Sequence, residues 1–187
     1  MIMKQRKSLD AYYSPPSVTK WLLDNIPVCI EGTVLECASG DNAIVNPLRD
    51  IGLTVITNDI NTNLDTDYHL DITKPDSYLE LPKVDWIITN PPFTSVNQLL
   101  PLAFNHVNIG LALYVRKTIT EPTFDRQDWL QDYQEHLAQI IFCPRVSFTG
   151  DGKLDNCSCD WLIWTKEKAP NTICTWVKRD KRKSKKK

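Results

Sequence analysis

Asn90-Pro91-Pro92-Phe93 places an amide, two prolines and an aromatic ring in four consecutive positions. The prolines fix φ at two residues and contribute no backbone N–H. The residue before each proline is driven to an extended conformation. A stiff turn results, with its carbonyls held in set directions. Asn90 adds a side-chain carbonyl acceptor and an NH₂ donor, and Phe93 adds a flat apolar face. Together they can clamp a planar group that carries an amino substituent, such as adenine. Three acids stand upstream at the ends of apolar runs: Glu36, Asp59 and Asp71. A carboxylate at Asp59 is placed to accept both hydroxyls of a ribose, and one at Asp71 to accept from an adenine amino group. Downstream, Arg116, Arg126, Arg145 and Lys153 fall in polar loops. The arginines are candidates for phosphate contacts, and Lys153 reads as surface charge.

Such residues need a scaffold that brings them to one edge. Apolar runs predict strands at 33–38, 53–57, 84–89, 111–115, from 140 onward and at 161–164, with a weaker strand over 68–71 and a last apolar stretch at 172–177. Between them the pattern changes to helical. Ser14 is a candidate N-cap for a helix carrying Val18, Trp21, Leu22 and Ile26 and closed by Pro27. A short helix follows Ser39-Gly40-Asp41 and ends near Gly52. Val96, Leu99, Leu100, Ala103, Phe104 and Val107 share a helix face, with a bend expected at Pro101. A further helix carries Trp129, Leu130, Tyr133 and Leu137. Alternating strands and helices predict an α/β domain with a mostly parallel seven-stranded sheet and helices on both faces. The expected division is a loose segment at 1–10, the domain at 11–177 and a basic tail at 178–187.

Composition narrows the partners. The chain has 187 residues, 42% of them hydrophobic, enough for one such domain with a full core. No apolar run reaches membrane-spanning length, and the charged N-terminus has no apolar stretch behind it, so a cytoplasmic protein is expected. Six cysteines show one C-x-C and no C-x₂-C pair. Free thiols are expected and no metal site. His69, His106 and His136 lack metal spacing and read as surface or helix-end residues. Net charge is −1, but residues 178–187 hold 8 of the 22 basic side chains and 1 of the 23 acidic ones. Residues 1–177 therefore carry a net of −8. The tail can add affinity for nucleic acid or simply solubilise the chain.

In open α/β sheets ligands bind beyond the carboxyl ends of the strands. A dinucleotide site there needs G-x-G-x-x-G, so that a pyrophosphate can rest on the helix N-terminus. Here the loop after the first strand is Glu36-Cys37-Ala38-Ser39-Gly40-Asp41, with one glycine between two acids. Those carboxylates repel a pyrophosphate and suit a cation such as a sulfonium with its ammonium group.

With these segments in order, the chain resembles the class I S-adenosylmethionine (SAM)-dependent methyltransferases of the N6-adenine type. Glu36–Asp41 is similar to motif I, Asp59 to the acidic end of motif II, Asp71 to motif III and Asn90–Phe93 to motif IV. Tyr12-Tyr13-Ser14-Pro15-Pro16 is similar to motif X, in the order seen in the γ arrangement of DNA amino-methyltransferases. Residues 116–164 resemble small phage and prophage methyltransferases through Arg116, Glu121-Pro122, Arg126, Trp129, the 144–153 segment and Trp161–Trp164. The resemblance implies a Rossmann-like class I fold with SAM as cofactor. It implies cofactor contacts by Tyr13, Ser14, Pro15, Glu36, Ala38, Gly40, Asp59, Ile60, Asp71, Ile72 and Asn90. Catalysis would fall to Asn90, Pro91, Pro92 and Phe93. Substrate contacts would come from Phe93, Arg116, Arg126 and Arg145. The substrate it implies is nucleic acid, with DNA ahead of RNA.

An aromatic amine is a poor nucleophile, because its lone pair is delocalised into the ring. Asn90 Oδ1 and the Pro91 carbonyl could each accept one N–H and favour a pyramidal nitrogen. Phe93 could stack on the base. An RNA adenine or a protein glutamine amide poses the same lone-pair problem, so both stay open as substrates. A non-catalytic SAM-binding module is a further alternative, against which stands the intact Asn90. No separate target-recognition domain is visible in 187 residues.

Overall fold

The computed structural model describes residues 14–26, 28–147 and 157–178. Tyr12, Tyr13, Pro27, Lys153 and the tail beyond Lys178 lie outside the described residues, as does the loose segment expected at 1–10.

Seven strands form one sheet: β1 (Thr33–Glu36), β2 (Thr54–Thr57), β3 (Val84–Thr89), β4 (Val107–Arg116), β5 (Leu137–Phe142), β6 (Cys159–Thr165) and β7 (Ile173–Trp176). Their order is β2-β1-β3-β4-β6-β5-β7. β6 pairs antiparallel with both of its neighbours and every other pairing is parallel. Among the described residues, five α-helices accompany the sheet: α1 (Ser17–Asn25), α2 (Val45–Asp50), α3 (Ser77–Glu80), α4 (Val96–His106) and α5 (Gln127–Tyr133).

Because both faces of the sheet are covered, the central strands are apolar on both sides. On β4, Leu111, Leu113 and Val115 join a core with Leu99, Leu100 and Phe104 of α4 and Trp129 of α5. The alternate residues Ala112 and Tyr114 join a second core with Val18 and Leu22 of α1 and Val45 and Leu48 of α2. Helices thus lie on both faces, as the alternating pattern predicts.

The differences from the sequence reading are local. The helical face drawn through Val107 stops at His106, and Val107 opens β4. An unbroken apolar run carries no signal for that change. Gly110, expected to precede the strand, lies inside it, where a Cβ would sit 2.4 Å from the Trp86 ring and 2.8 Å from the Trp164 carbonyl. Leu137, assigned to a helix face, opens β5. Pro101 lies inside α4, where it cannot donate to the Asn97 carbonyl. The strand expected over 68–71 is reduced to a single bridge between Asn58 and Tyr68. Side chains replace its ladder: Asp67 accepts from the Thr57 N–H and hydroxyl, both at 2.8 Å. Asn58 accepts from the Leu70 N–H at 2.8 Å and donates to the Leu70 carbonyl at 3.1 Å. The count of seven is reached because the 172–177 stretch supplies β7 instead.

Candidate active site

The chain order reverses at β1. β2 pairs on one side of it and β3 on the other, so a crevice opens beyond the ends of β1 and β3. Glu36 is the last residue of β1, and Asn90 follows the last residue of β3. Asn58-Asp59-Ile60 follows β2, and Arg116 ends β4. Parallel pairing therefore brings the candidate cofactor acids, the amide turn and a cation to one rim.

Glu36 is 1% exposed. Its Oε1 accepts the Ala38 N–H at 3.0 Å. Burial pushes its carboxyl from the ordinary 4.5 up to about 8, and the Asp59 charge adds to the rise. Hydrogen bonding by Thr89 and by the Ala38 amide opposes it without cancelling it. None of the ion pairs among the described residues involves Glu36 or Asp59. Two neighbouring carboxyls without a cationic partner of their own fit a positively charged ligand, and they do not fit a pyrophosphate.

The loop after β1 is bound to the end of β2. Gly40 turns with φ 52° and gives its N–H to Asp59 Oδ2 at 2.9 Å. Asp59 Oδ1 accepts from Asn61 N–H at 2.9 Å. Each of these oxygens keeps a second lone pair for a ribose hydroxyl. Ile60 beside it is 54% exposed, whereas Ile72 is 7% exposed and belongs to the core. Asp71 holds its own turn through Oδ1, which accepts from the Thr73 N–H at 3.0 Å and hydroxyl at 2.7 Å. These bonds hold its carboxyl below the usual range.

Sequence reasoning passed over Asn58, the residue that ties these pieces together. It is fully buried, and its Nδ2 donates to the Cys37 carbonyl at 2.9 Å as well as to that of Leu70. Its position next to Asp59 at a strand end was the available signal. His69, expected at the surface or a helix end, has its exposed Nδ1 3.0 Å from the Asp59 carbonyl. His106 ends α4, as the helix-end alternative expects, and is buried there, 2.8 Å from the Pro82 carbonyl.

Ser14 has a different role from the expected N-cap. α1 begins at Ser17 without a side-chain cap, and the Ser14 hydroxyl instead accepts from Asn90 Nδ2 at 2.8 Å. A bond across 76 residues thus sets the plane of the amide. Ser14 is held there by α1, which is anchored where Trp161 Nε1 donates to the Val18 carbonyl and Gln139 Nε2 to that of Asn25, at 2.8 and 2.9 Å. Beyond the two prolines, the Ser95 N–H donates to the Pro92 carbonyl at 2.9 Å and leads into α4. The Arg116 guanidinium lies over the Phe93 ring at 4.6 Å, so two of the candidate substrate residues meet.

The other two arginines are engaged elsewhere. Arg126 donates to the Thr118 carbonyl at 2.6 Å and closes its own loop. Arg145 donates through Nε to the Ser158 hydroxyl at 3.0 Å.

This seven-stranded sheet, with β6 reversed and a crevice at the β1/β3 switch point, is the Rossmann-like fold of class I SAM-dependent methyltransferases. No family model matches the sequence, and no curated protein matches it. Solved structures do match in fold. A protein from Vibrio vulnificus YJ016, described as the modification subunit of a type I restriction enzyme, superposes with a TM-score of 0.64 at 14% identity over 91% of this chain. The M protein of the type I restriction enzyme EcoKI gives 0.62 at 19% identity over 88%. A Listeria monocytogenes protein described as a class I SAM-dependent methyltransferase gives 0.60 at 14% over 86%. This chain spans 48%, 46% and 63% of those proteins, respectively.

Proposed function

We propose that the chain is a SAM-dependent methyltransferase that modifies an exocyclic amine, N6 of adenine in DNA. The observation that carries this reading is the Asn90-Pro91-Pro92-Phe93 turn, its amide bonded to Ser14, standing one strand from the buried Glu36. SAM supplies the electrophilic methyl group. The chain supplies the rest. Asp59 would accept the ribose hydroxyls, Ile60 would offer an apolar face to the adenine ring, and Asp71 Oδ2 would accept from its amino group. Glu36 would ionise against the cationic methionine end, with Tyr13 and Pro15 beside it, while Ala38 and Gly40 let the backbone approach.

On the substrate side, Asn90 Oδ1 and the Pro91 carbonyl would accept the two amine hydrogens. That turns the nitrogen lone pair toward the transferable methyl and withdraws it from the ring. The nitrogen would form its bond to the methyl as the S–C bond breaks, leaving a neutral thioether, and would then release one proton to water; the work is positioning and electrostatic stabilisation, without a base of tuned pKa. Phe93 would hold the base by stacking, worth roughly 1–3 kcal/mol, comparable to the few kcal/mol needed to extract a base from a duplex. Arg116 would move from Phe93 to phosphate as the base enters. The type I modification proteins of similar fold give DNA precedence over RNA and protein.

A thermal-shift assay followed by labelled methyl transfer tests this. Stabilisation by SAM or its demethylated product, with label entering DNA ahead of RNA and protein, is the expected result. Stabilisation by NAD alone refutes the reading.

A further inference from the structure

Outward from Asn90, cations and aromatic rings follow one another along the same rim. Arg116 lies on Phe93 at 4.6 Å. The next residue, Lys117, lies over Phe142 at the end of β5, with its ammonium 5.6 Å from the ring centre. Asp160 holds Lys117 there from below at 3.4 Å. Phe142 in turn stacks on Trp176 at the end of β7, with centroids 4.9 Å apart and planes 23° apart. A near-parallel stack covers one face of the Trp176 indole. The side chain is nevertheless 69% exposed, so the opposite face is open.

A single exposed aromatic is ordinary on a protein surface. Trp176 differs because it walls a groove of about 850 Å³ that begins at Pro15, next to Ser14, and also takes in Trp21, Arg145 and Lys178. Among the described residues, the ionisable groups facing this groove are Lys20, Asp24, Arg145 and Lys178. Asp24 is neutralised by Lys20 at 2.8 Å, leaving two net positive charges. In the sequence, the nine positions after Lys178 hold seven basic residues and one acid. Phe124, though 93% exposed, stands between Glu121 and Asp125 and offers a polyanion nothing.

Flat faces alternating with cations are the surface that binds unpaired nucleic acid, where bases stack and phosphates pair. From β3 to β7 the rim crosses four strand spacings of about 4.8 Å, roughly 19 Å, a reach of a few nucleotides.

We propose that this rim and its groove are the path of a single nucleic-acid strand, with Trp176 the stacking platform for a base a few nucleotides from the one held at Asn90. The path rests on Asn90 being the site that takes the target base. It adds a partner conformation, an unpaired strand, and a binding residue remote from the chemistry. It also supplies substrate contacts away from the base held at Asn90.

The test uses the full chain saturated with S-adenosylhomocysteine and fluorescent single strands of about 12 nucleotides, one of DNA and one of RNA, followed by anisotropy at several salt concentrations. Calorimetry of S-adenosylhomocysteine binding accompanies every variant. Trp176→Ala should weaken strand binding about ten-fold, and Trp176→Phe should recover most of it. Lys178→Ala, at an exposed position, should lower the salt slope by about 0.7. Neither alanine variant should change S-adenosylhomocysteine affinity. The DNA and RNA arms identify which strand the path takes. Unchanged strand affinity in Trp176→Ala, equal displacement by poly-glutamate, or no binding of single strands by the wild type overturns the proposal. Failure to bind S-adenosylhomocysteine removes the methyltransferase reading instead, and the anisotropy still decides whether the rim binds a strand.

Discussion

On the β1–β2 side of Asn90, the charged groups that end the strands are acids tied into backbone. Glu36 accepts from Ala38, Asp59 from Gly40 and Asn61, and Asp71 from Thr73. On the β4–β7 side the rim carries Arg116, Lys117 and Lys178, and the groups beside them are the rings of Phe93, Phe142 and Trp176. Asp160 is buried beneath Lys117. The first side is a closed hydrogen-bonded frame that gains from a cation. The second is an open surface that gains from a polyanion. Asn90 stands at the boundary, where a cationic methyl donor and a nucleic-acid amine would have to meet. A sheet with one reversed strand thus separates two opposite electrostatic tasks by strand position alone.

Glu36 gives the largest effect. The unfolded carboxyl ionises near 4.5 and the folded one near 8. Between those values the folded state holds a proton that the unfolded state has lost, so stability falls as pH rises across the window. The fall should amount to several kcal/mol, and urea unfolding from pH 5 to 8 should show it largely removed in Glu36→Gln. A cationic ligand that selects the ionised form should bind the wild type more tightly as pH rises through the same range. A flat wild-type profile would mean that the acidic side is already neutralised.

Asn58→Ala comes next. It strands the buried Cys37 carbonyl and the part-buried Leu70 carbonyl and N–H, at a cost of about 3 kcal/mol. Chemical denaturation measures this, and a loss below 1 kcal/mol would show that the frame does not depend on it. Ser14→Ala should lower kcat about ten-fold through one lost hydrogen bond and leave folding intact, which separates orientation of the amide from its presence. The smallest effect contrasts two arginines. Arg116→Ala should reduce the salt slope of DNA binding by close to one. Arg126→Ala should leave it unchanged, because that guanidinium is spent on Thr118. Equal slopes would erase the distinction between them.

The sequence disclosed the frame better than the bonds within it. Alternating apolar runs indicate a parallel sheet, and a parallel sheet gathers strand ends, so the sequence pattern assigns Glu36, Asp59, Asn90 and Arg116 to one rim. Boundaries inside continuous apolar stretches were not legible. Val107 satisfies the helix period and is nevertheless a strand residue, since only packing against Val84 decides it. The partners of Asn58 lie 21 and 12 residues away and are backbone carbonyls, which leave no mark on side-chain pattern. The Ser14–Asn90 bond spans 76 residues, and Ser14 beside two prolines reads locally as a cap. Trp176 falls in a last apolar stretch of the sequence, and its exposure follows from β7 being the sheet edge.

Asn90→Ala tests the central claim most directly, because the amide should act on the methyl acceptor and not on cofactor affinity. Transfer of labelled methyl from SAM to DNA should fall at least about 10²-fold. Binding of S-adenosylhomocysteine, measured calorimetrically on the same preparation, should stay within about three-fold, less than the loss of one hydrogen bond would bring. Transfer at the wild-type rate in Asn90→Ala would contradict the account.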